Sequence, residues 1–187
     1  MSDPPVRKID RRRRERVIEG ALAALYEHGV EGLTHRRVAE AADVSVGATT
    51  YYFRSLEDLL EAAMRHAAER DIAALRNRFG DPSGRTDVAD VLTSYLYDAA
   101  TVDRREAVIV AELFVAALRR EQLREVGEAW NQAWIELLTP SLGAAAPVIT
   151  VAIGGLVQRG LLVQGELSRA ELREQIDLLL GTTRDCS

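Results

Sequence analysis

Apolar residues recur along this chain at spacings of three and four, the period of a helix with one buried face, and no segment alternates with the period of a strand. The pattern and its breaks predict an all-α protein with about nine helices. The predicted helices cover residues 9–28, 34–42, 46–52, 55–79, 86–101, 104–119, 121–142, 147–164 and 168–180.

The breaks divide the helices between an N-terminal domain and a helical body. Residues 1–8 precede the first helix and are expected to form a flexible basic arm. Residues 9–54 hold three helices and form the N-terminal domain. Residues 55–187 form the body, in which a run rich in glycine and proline indicates a linker at 80–85.

The most informative stretch is residues 33–53, where the pattern predicts two short helices joined by a tight turn. Thr34 and Ser45 are good N-caps for these two helices. Asp43 lies at the break between them, and aspartate is among the few non-glycine residues that readily adopt the left-handed backbone conformation. This is the geometry of a helix-turn-helix, whose second helix lies in the DNA major groove.

The surface of the second helix favours DNA binding over an ordinary helical corner. Residues 47–52 are small or carry a hydroxyl group, so they make a poor core-facing helix. Small residues allow the backbone to approach base edges, and hydroxyls donate to phosphates or bases. A purely structural corner is the alternative, because every helical protein contains such turns.

Residues 11–64 resemble the N-terminal domain of TetR-type transcriptional repressors. The shared motifs are Gly-x-x-x-Leu-Thr before the first short helix, Arg-x-Val-Ala-x-x-Ala within it, and an aromatic pair, Tyr51 and Tyr52, that closes the recognition helix. A Ser55-to-Asp58 N-cap then opens a long helix. The resemblance implies a DNA-binding head followed by a helical effector-binding and dimerisation domain.

Three positions depart from the usual pattern of that family. Asp43 stands in place of the usual Gly, Thr50 in place of a phosphate-binding Tyr, and Leu56 in place of a Lys. The last two departures remove phosphate contacts that the resemblance would otherwise imply, but they leave the expected fold unchanged.

The resemblance and the helix-turn-helix pattern together imply a set of DNA-contacting residues. Arg36 is placed to reach a base edge, whereas Thr34, Tyr52 and the arginines at 11–14 are expected on phosphates or in the minor groove. The recognition helix covers about 45–52, and the implied partner is double-stranded DNA with a palindromic operator. The full set is Thr34, His35, Arg36, Ser45, Val46, Gly47, Ala48, Thr50, Tyr51 and Tyr52.

Charge is distributed unevenly along the chain. The formal net charge is −5; residues 1–54 hold ten Lys/Arg and eight Asp/Glu, a balance of +2, which leaves −7 for the rest. A local basic segment on an acidic body suits a sequence-specific DNA binder, because attraction to phosphate is short-ranged and screened by salt. A solvated charged tail is the alternative.

The body contains an aromatic cluster that indicates a ligand pocket. Trp130 and Trp134 lie four residues apart and share a helix face. Such an apolar interior is typical of a small-molecule pocket and equally of an ordinary core, and the family resemblance favours the pocket. The predicted lining, with Glu112 or Asn131 as the polar anchor for a small apolar or amphipathic effector, is Tyr95, Glu112, Phe114, Trp130, Asn131 and Trp134.

The last two helices predict a homodimer. Helix 147–164 is apolar on every side and therefore needs to be covered on every side. Two such helices from each subunit would form a four-helix bundle with two-fold symmetry, whereas the alternative is that both close the core of one chain. The predicted interface comprises Ile153, Leu156, Leu161, Leu172, Ile176 and Leu179.

Enzymatic activity is not expected. The three histidines are scattered, and the chain lacks the HExxH, GxSxG, P-loop and dinucleotide-binding motifs. No catalytic residue, metal ligand or cofactor is therefore predicted. A single cysteine, Cys186, fits a reducing, cytoplasmic location. The longest apolar run, 147–157, is shorter than the ~20 residues of a membrane span, so no membrane partner is expected.

These features predict a homodimeric repressor that a small molecule releases from its operator. The alternative is a helical DNA-binding or scaffolding protein that has no effector and is controlled by a protein partner.

Overall fold

The computed structural model of the chain describes residues 6–80, 87–163 and 168–184, with side chains described for 11–80, 87–163 and 168–181. Within these residues the chain forms nine α-helices and one short 3₁₀-helix, so the predicted all-α fold is confirmed. The α-helices are α1 Val6–His28, α2 His35–Ala42, α3 Val46–Tyr52, α4 Leu56–Phe79, α5 Val88–Ala100, α6 Arg104–Ala117, α7 Glu121–Leu142, α8 Ala146–Leu162 and α9 Arg169–Arg184.

The structure bears on two predicted segments, the N-terminal arm and the linker. Because α1 begins at Val6, residues 6–8 are helical and not part of a flexible arm; residues 1–5 lie outside the described chain. The sequence offers a reason, since neither glycine nor proline occurs between Val6 and Gly20 to interrupt the helix. Of the predicted linker at 80–85, only Gly80 is among the described residues.

One compact unit comprises Met1–Ala67 and Glu112–Gly127. In this unit α1 packs against α2, and a Cβ placed on Gly20 would lie 2.6 Å from the Cβ of Ala42. Only glycine therefore allows the two helices to cross so closely. The buried stripe of α1 is the predicted one: Val17, Ala21, Leu22 and Leu25.

Side-chain caps begin the two short helices of this unit. Thr34 Oγ1 accepts the N–H of Arg37 at 3.2 Å, which caps α2. Ser45 Oγ accepts the N–H of Ala48 at 3.2 Å, which caps α3. Both predicted N-caps are confirmed, and both satisfy amides that have no partner within the helix.

The turn between α2 and α3 depends on Asp43, whose φ of 51° is the predicted left-handed conformation. Arg16 on α1 donates hydrogen bonds of 2.9 Å from its guanidinium to the carbonyls of Ala42 and Asp43. α1 thereby satisfies the last carbonyls of α2 and fixes the point at which the chain turns towards α3.

The second compact unit comprises Ala68–Ala111 and Glu128–Ser187. In it, α5 packs against both α8 and α9. Arg173 on α9 also forms ion pairs with Asp87 and Asp90 at the start of α5. The large, fully buried side chains of this unit include Leu92, Leu96, Leu138, Ile149, Leu172 and Ile176.

One stretch, Glu121–Leu162, is long and apolar enough to cross a membrane by length and composition alone. It is not one continuous helix, because the 3₁₀-helix Gly143–Ala145 separates α7 from α8 and Gly143 has a φ of +54°. α7 carries five charged residues, and the 17 residues of α8 are fewer than the ~20 that a span requires. The stretch is better explained as two helices of the body.

Candidate nucleic-acid interface and effector site

α3 presents an exposed face that no other described part of the chain covers. The side chain of Tyr51 is 75% exposed, and Val46, Gly47 and Thr50 are also exposed. A Cβ placed on Gly47 would meet only the Oγ of Ser45, at 3.9 Å. The first turn of α3 is therefore open to close approach by a partner.

The opposite side of α3 is held by one buried hydroxyl. Thr49 is fully buried, and its Oγ1 donates to the carbonyl of Val46 at 2.8 Å. His35 Nδ1 lies 3.2 Å from the same oxygen, so His35 acts as the donor in that contact. This contact joins α2 to α3, and it gives His35 a positioning role that the sequence did not suggest.

All ten residues predicted to contact DNA lie on α2, on α3 or at their N-caps, and each is at least partly exposed. Arg36 is exposed on the first turn of α2. Thr50 Oγ1 lies 3.2 Å from the carbonyl of Gly47, so its hydroxyl is bonded within its own helix. Tyr51 and Tyr52 contact each other edge to face, with ring centroids 5.0 Å apart.

The arginines at 11–14, which were expected on phosphates or in the minor groove, lie on α1. Arg11 pairs with Glu15 one turn later at 3.3 Å, and the guanidinium of Arg14 lies over the ring of Phe53 at 5.0 Å from its centroid. Arg14 therefore packs against the C-cap residue that follows α3. Arg12 and Arg13 are exposed between them.

In the second unit, three aromatic side chains converge on the carboxylate of Asp71. Tyr95 donates its hydroxyl to Oδ1 at 2.9 Å, while Trp130 and Trp134 donate their indole N–H groups to Oδ2 at 2.9 and 2.7 Å. The rings of Tyr95 and Trp134 contact edge to face, with centroids 4.9 Å apart. Three of the residues predicted to line the pocket therefore meet, around an acid that the prediction did not include.

Burial dominates the electrostatics of this cluster. It raises the pKa of Asp71 above its ordinary value, and the hydrogen bonds from Trp134, Trp130 and Tyr95, with the charge of Arg78, act in the opposite direction. Burial and the neighbouring Asp71 raise the pKa of the Tyr95 hydroxyl well above its usual range. Tyr95 is therefore a neutral donor at physiological pH.

The other predicted pocket residues are not in this cluster, which corrects the predicted anchor. Glu112 belongs to the first unit, where its carboxylate accepts the backbone N–H of Val30 at 3.3 Å. Phe114 belongs to the same unit, beside Gly127. Asn131 is exposed on α7. The apolar neighbours of Glu112 in the sequence favour a buried anchor, but an exposed carboxylate that accepts a hydrogen bond beyond the end of α1 fits the same pattern.

The sequence did contain a signal for Asp71. It is seven residues from Met64 and four from Leu75, both fully buried on α4, so it falls on the inward face of an amphipathic helix. An acid at such a position requires donors opposite it, and the indole N–H groups of two tryptophans supply them.

Three of the predicted interface residues serve the core of a single chain. Ile153, Leu172 and Ile176 are almost fully buried without a partner, because α8 and α9 both pack against α5. Leu156, Leu161 and Leu179 are partly exposed. The strongly exposed apolar side chains on these two helices are Val148, Val151, Leu162 and Leu178.

Among the described residues, no group of three or more His, Cys, Asp or Glu side chains is arranged to hold a metal ion.

Known proteins are similar to this chain in both sequence and fold. Residues 17–75 match the family described as "Bacterial regulatory proteins, tetR family". The chain is 39% identical to the HTH-type transcriptional regulator BetI of Burkholderia thailandensis over 90% of this chain and 94% of that protein. It is 29% identical to the HTH-type transcriptional repressor KstR of Rhodococcus jostii, over 90% of this chain and 83% of that protein.

A solved structure with a bound ligand is also similar. The crystal structure of the multidrug binding protein EbrR complexed with ethidium has a TM-score of 0.75 and 33% identity, and the match covers 89% of this chain and 98% of that chain. The exposed recognition helix of a helix-turn-helix and these matches lead to one conclusion. The chain belongs to the tetR family of bacterial regulatory proteins, and it is a DNA-binding transcriptional regulator.

Proposed function

We propose that this regulator is a cytoplasmic repressor that binds a palindromic operator as a homodimer and leaves it when a small apolar or amphipathic molecule binds the body. The observation that carries the proposal is the exposed face of α3, whose opposite side is joined to α2 by the contact between the buried Thr49 and His35. A repressor needs such a rigid reading helix, because base readout depends on fixed geometry.

Within this proposal the head makes two kinds of DNA contact. Val46, Gly47 and Tyr51 lie against base edges, and Arg36 reaches a guanine from α2, since paired hydrogen bonds from one arginine to guanine are the commonest specific contact. Thr34 and Tyr52 bind phosphates, and the exposed arginines of α1 add charge that positions the head without reading sequence.

A second copy of the chain is the proposed cover for α8 and α9. Only 17% of the most apolar 18-residue stretch within Glu121–Leu162 is buried inside the chain. Val148, Val151 and Leu162 lie on one exposed stripe of α8 with Gly155, at spacings of three, four and seven. A Cβ on Gly155 would meet nothing, so a partner helix has room to approach. This stripe, with Leu178 on α9, replaces the buried residues first assigned to the interface.

The aromatic cluster around Asp71 is the proposed effector site. The similar protein EbrR has been crystallised with ethidium, proflavin and malachite green. α4 carries both Met64 in the core of the first unit and Asp71 in the second. In the proposed mechanism, the conformer in which α4 is displaced does not bind DNA. A ligand that binds this conformer better shifts the population towards it and so releases the DNA.

The experiment is enrichment of genomic DNA. Fragments from the host are passed over the immobilised protein, and the retained fragments are sequenced. A repressor should retain a few promoter-proximal fragments. At least one compound from a library of small aromatic molecules should elute them. Retention of fragments without sequence preference would contradict the proposal that the protein is a sequence-specific repressor. Sequence-specific retention that no compound reverses would favour the alternative, a DNA-binding protein controlled by a protein partner.

A further inference from the structure

The carboxylate of Asp71 lacks a dedicated positive partner among the described residues. Its three hydrogen-bond donors, Tyr95, Trp130 and Trp134, are all neutral. The cation that acts on it is Arg78, whose guanidinium is already paired with Asp98 at 2.8 Å. A buried carboxylate is costly unless a charge compensates it, and neutral donors offset only part of that cost.

The side chains around Asp71 are suited to a cation. The π faces of tryptophan and tyrosine carry negative potential and attract organic cations. Tyr95 and Trp134 stand edge to face, and Trp130 lies one helical turn from Trp134. The cluster therefore combines a carboxylate with three electron-rich rings.

The carboxylate of Asp71 has bonding capacity left, and the residue is not fully enclosed. Asp71 and Tyr95 are partly exposed, whereas both tryptophans are buried. Two of the three donors bind Oδ2 and one binds Oδ1, and a carboxylate offers about four acceptor sites. Oδ1 can accept one more hydrogen bond, or can stand directly against a positive charge.

We propose that the effector of this regulator is an organic cation, an ammonium or a delocalised cationic aromatic, with Asp71 as its counter-ion and Tyr95, Trp130 and Trp134 as its aromatic contacts. The inference rests on the proposed function, because it assigns a ligand class to the effector site. The competing explanation is that Asp71 only joins α4 to α5 and α7.

Two pairs of probes that differ in charge test the proposal on the full-length protein. The bulky pair is tetraphenylphosphonium and neutral triphenylphosphine oxide; the small pair is choline and its uncharged isostere 3,3-dimethyl-1-butanol. Affinity is measured by calorimetry and by the tryptophan emission, which reports on Trp130 and Trp134 alone because the chain has two tryptophans. The cation of at least one pair should bind at least tenfold more tightly than its neutral partner.

The variant Asp71→Asn separates charge from structure. Its amide oxygen can accept both indole N–H groups, and its NH₂ can donate to the Tyr95 oxygen, so the contacts persist while the charge is removed. This variant should lose the preference for the cation and keep its affinity for the neutral probe. Glu112→Gln removes a carboxylate from the first unit and serves as the matched control, which should retain the wild-type preference.

The outcomes distinguish this proposal from the proposed function. Equal affinity for cation and neutral probe in both pairs would overturn the cation class and leave an effector site in place. A cation preference that persists in Asp71→Asn would overturn the role of Asp71. If no probe binds, the proposal fails, and the release of genomic fragments by other compounds decides separately whether an effector exists. If the variant does not fold, the wild-type comparison alone decides the ligand class.

Discussion

Trp134 on α7 donates its indole N–H to the carboxylate of Asp71 on α4 at 2.7 Å, the shortest of the three bonds that converge on this acid. The contact places a titratable group inside the second unit, and burial raises its pKa. Stability should therefore depend on pH in a way that exposed carboxylates do not share.

The first prediction concerns this pH dependence. Because the folded pKa of Asp71 exceeds its unfolded value of about 3.9, the folded state binds the proton more tightly, and the resulting stability is lost as pH rises through the folded pKa. The free energy of unfolding of the wild type, minus that of Asp71→Asn, should fall as pH rises above about 4, by at most ~1.4 kcal/mol per pH unit. The Tyr95 hydroxyl stays neutral over this range, because its pKa is raised well above its usual value. Urea unfolding of both proteins measures the difference, and a difference that rises with pH would contradict it.

The second prediction concerns the turn. Asp43 adopts a left-handed conformation in which a side chain costs roughly 1–2 kcal/mol, less for aspartate, so Asp43→Gly should stabilise the protein by about 0.5–1 kcal/mol. The ion pair with Arg16 that this change removes is exposed and 3.6 Å long, so it contributes little. Asp43→Val is the matched opposite, since a β-branched residue is poorly tolerated there. Chemical denaturation should order the stabilities as Gly above Asp above Val, and any other order would refute the backbone argument.

The third prediction separates base reading from phosphate binding. Arg36→Ala should cost ~1–3 kcal/mol of operator binding and relax the preference at one base pair in each half-site. Replacing Arg12 and Arg13 with Gln should weaken binding to all sequences and reduce the salt slope by about one unit for each phosphate that the variant no longer neutralises. These substitutions are preferable to a deletion of residues 1–14, which would shorten α1. Binding assays at several salt concentrations make the comparison. A weaker affinity in Arg36→Ala without any change in site preference would make Arg36 a phosphate-binding residue.

The fourth prediction concerns the dimer. Val151 is 75% exposed in the single chain, so Val151→Arg leaves the monomer core intact and places a charge in the proposed interface. Sedimentation should show a folded monomer. Val102→Arg, at an exposed valine outside α8 and α9, is the matched control and should remain dimeric. A dimeric Val151→Arg would locate the interface elsewhere.

A charge at the buried Ile176 should have a different effect from a charge at the exposed Val151. It is fully buried against its own chain, so Ile176→Arg should unfold the second unit and not simply dissociate a dimer. An isolated buried charge without a partner is among the most destabilising changes a core can receive. Circular dichroism separates this result from that of Val151→Arg.

Features that depend on neighbouring residues in the chain were predictable. The caps at Thr34 and Ser45 and the left-handed Asp43 follow from side-chain chemistry within three residues of each helix end, and the helix limits followed from them. The sequence could not predict which face of each helix packs against the rest of the chain. Helix 147–164 is apolar all round, so its pattern alone could not tell the side that packs on α5 from the side left exposed, and Ile153 was assigned to the wrong one.

The anchor of the aromatic cluster was missed for the same physical reason. Asp71 is separated from Trp130 and Trp134 by 59 and 63 positions, and nothing local pairs an acid with a distant indole. Glu112 was nearer to apolar residues in sequence, but the fold directs it to the N–H of Val30.

Selection of bound DNA from a random double-stranded pool tests the central claim most directly, because it reports sequence preference and symmetry together. A homodimer with one α3 per subunit should enrich an inverted repeat whose half-site centres lie about one helical turn, ~10 base pairs, apart or a multiple of it. Enrichment of a single unrepeated site, or of no sequence at all, would contradict a dimeric repressor that reads DNA with α3.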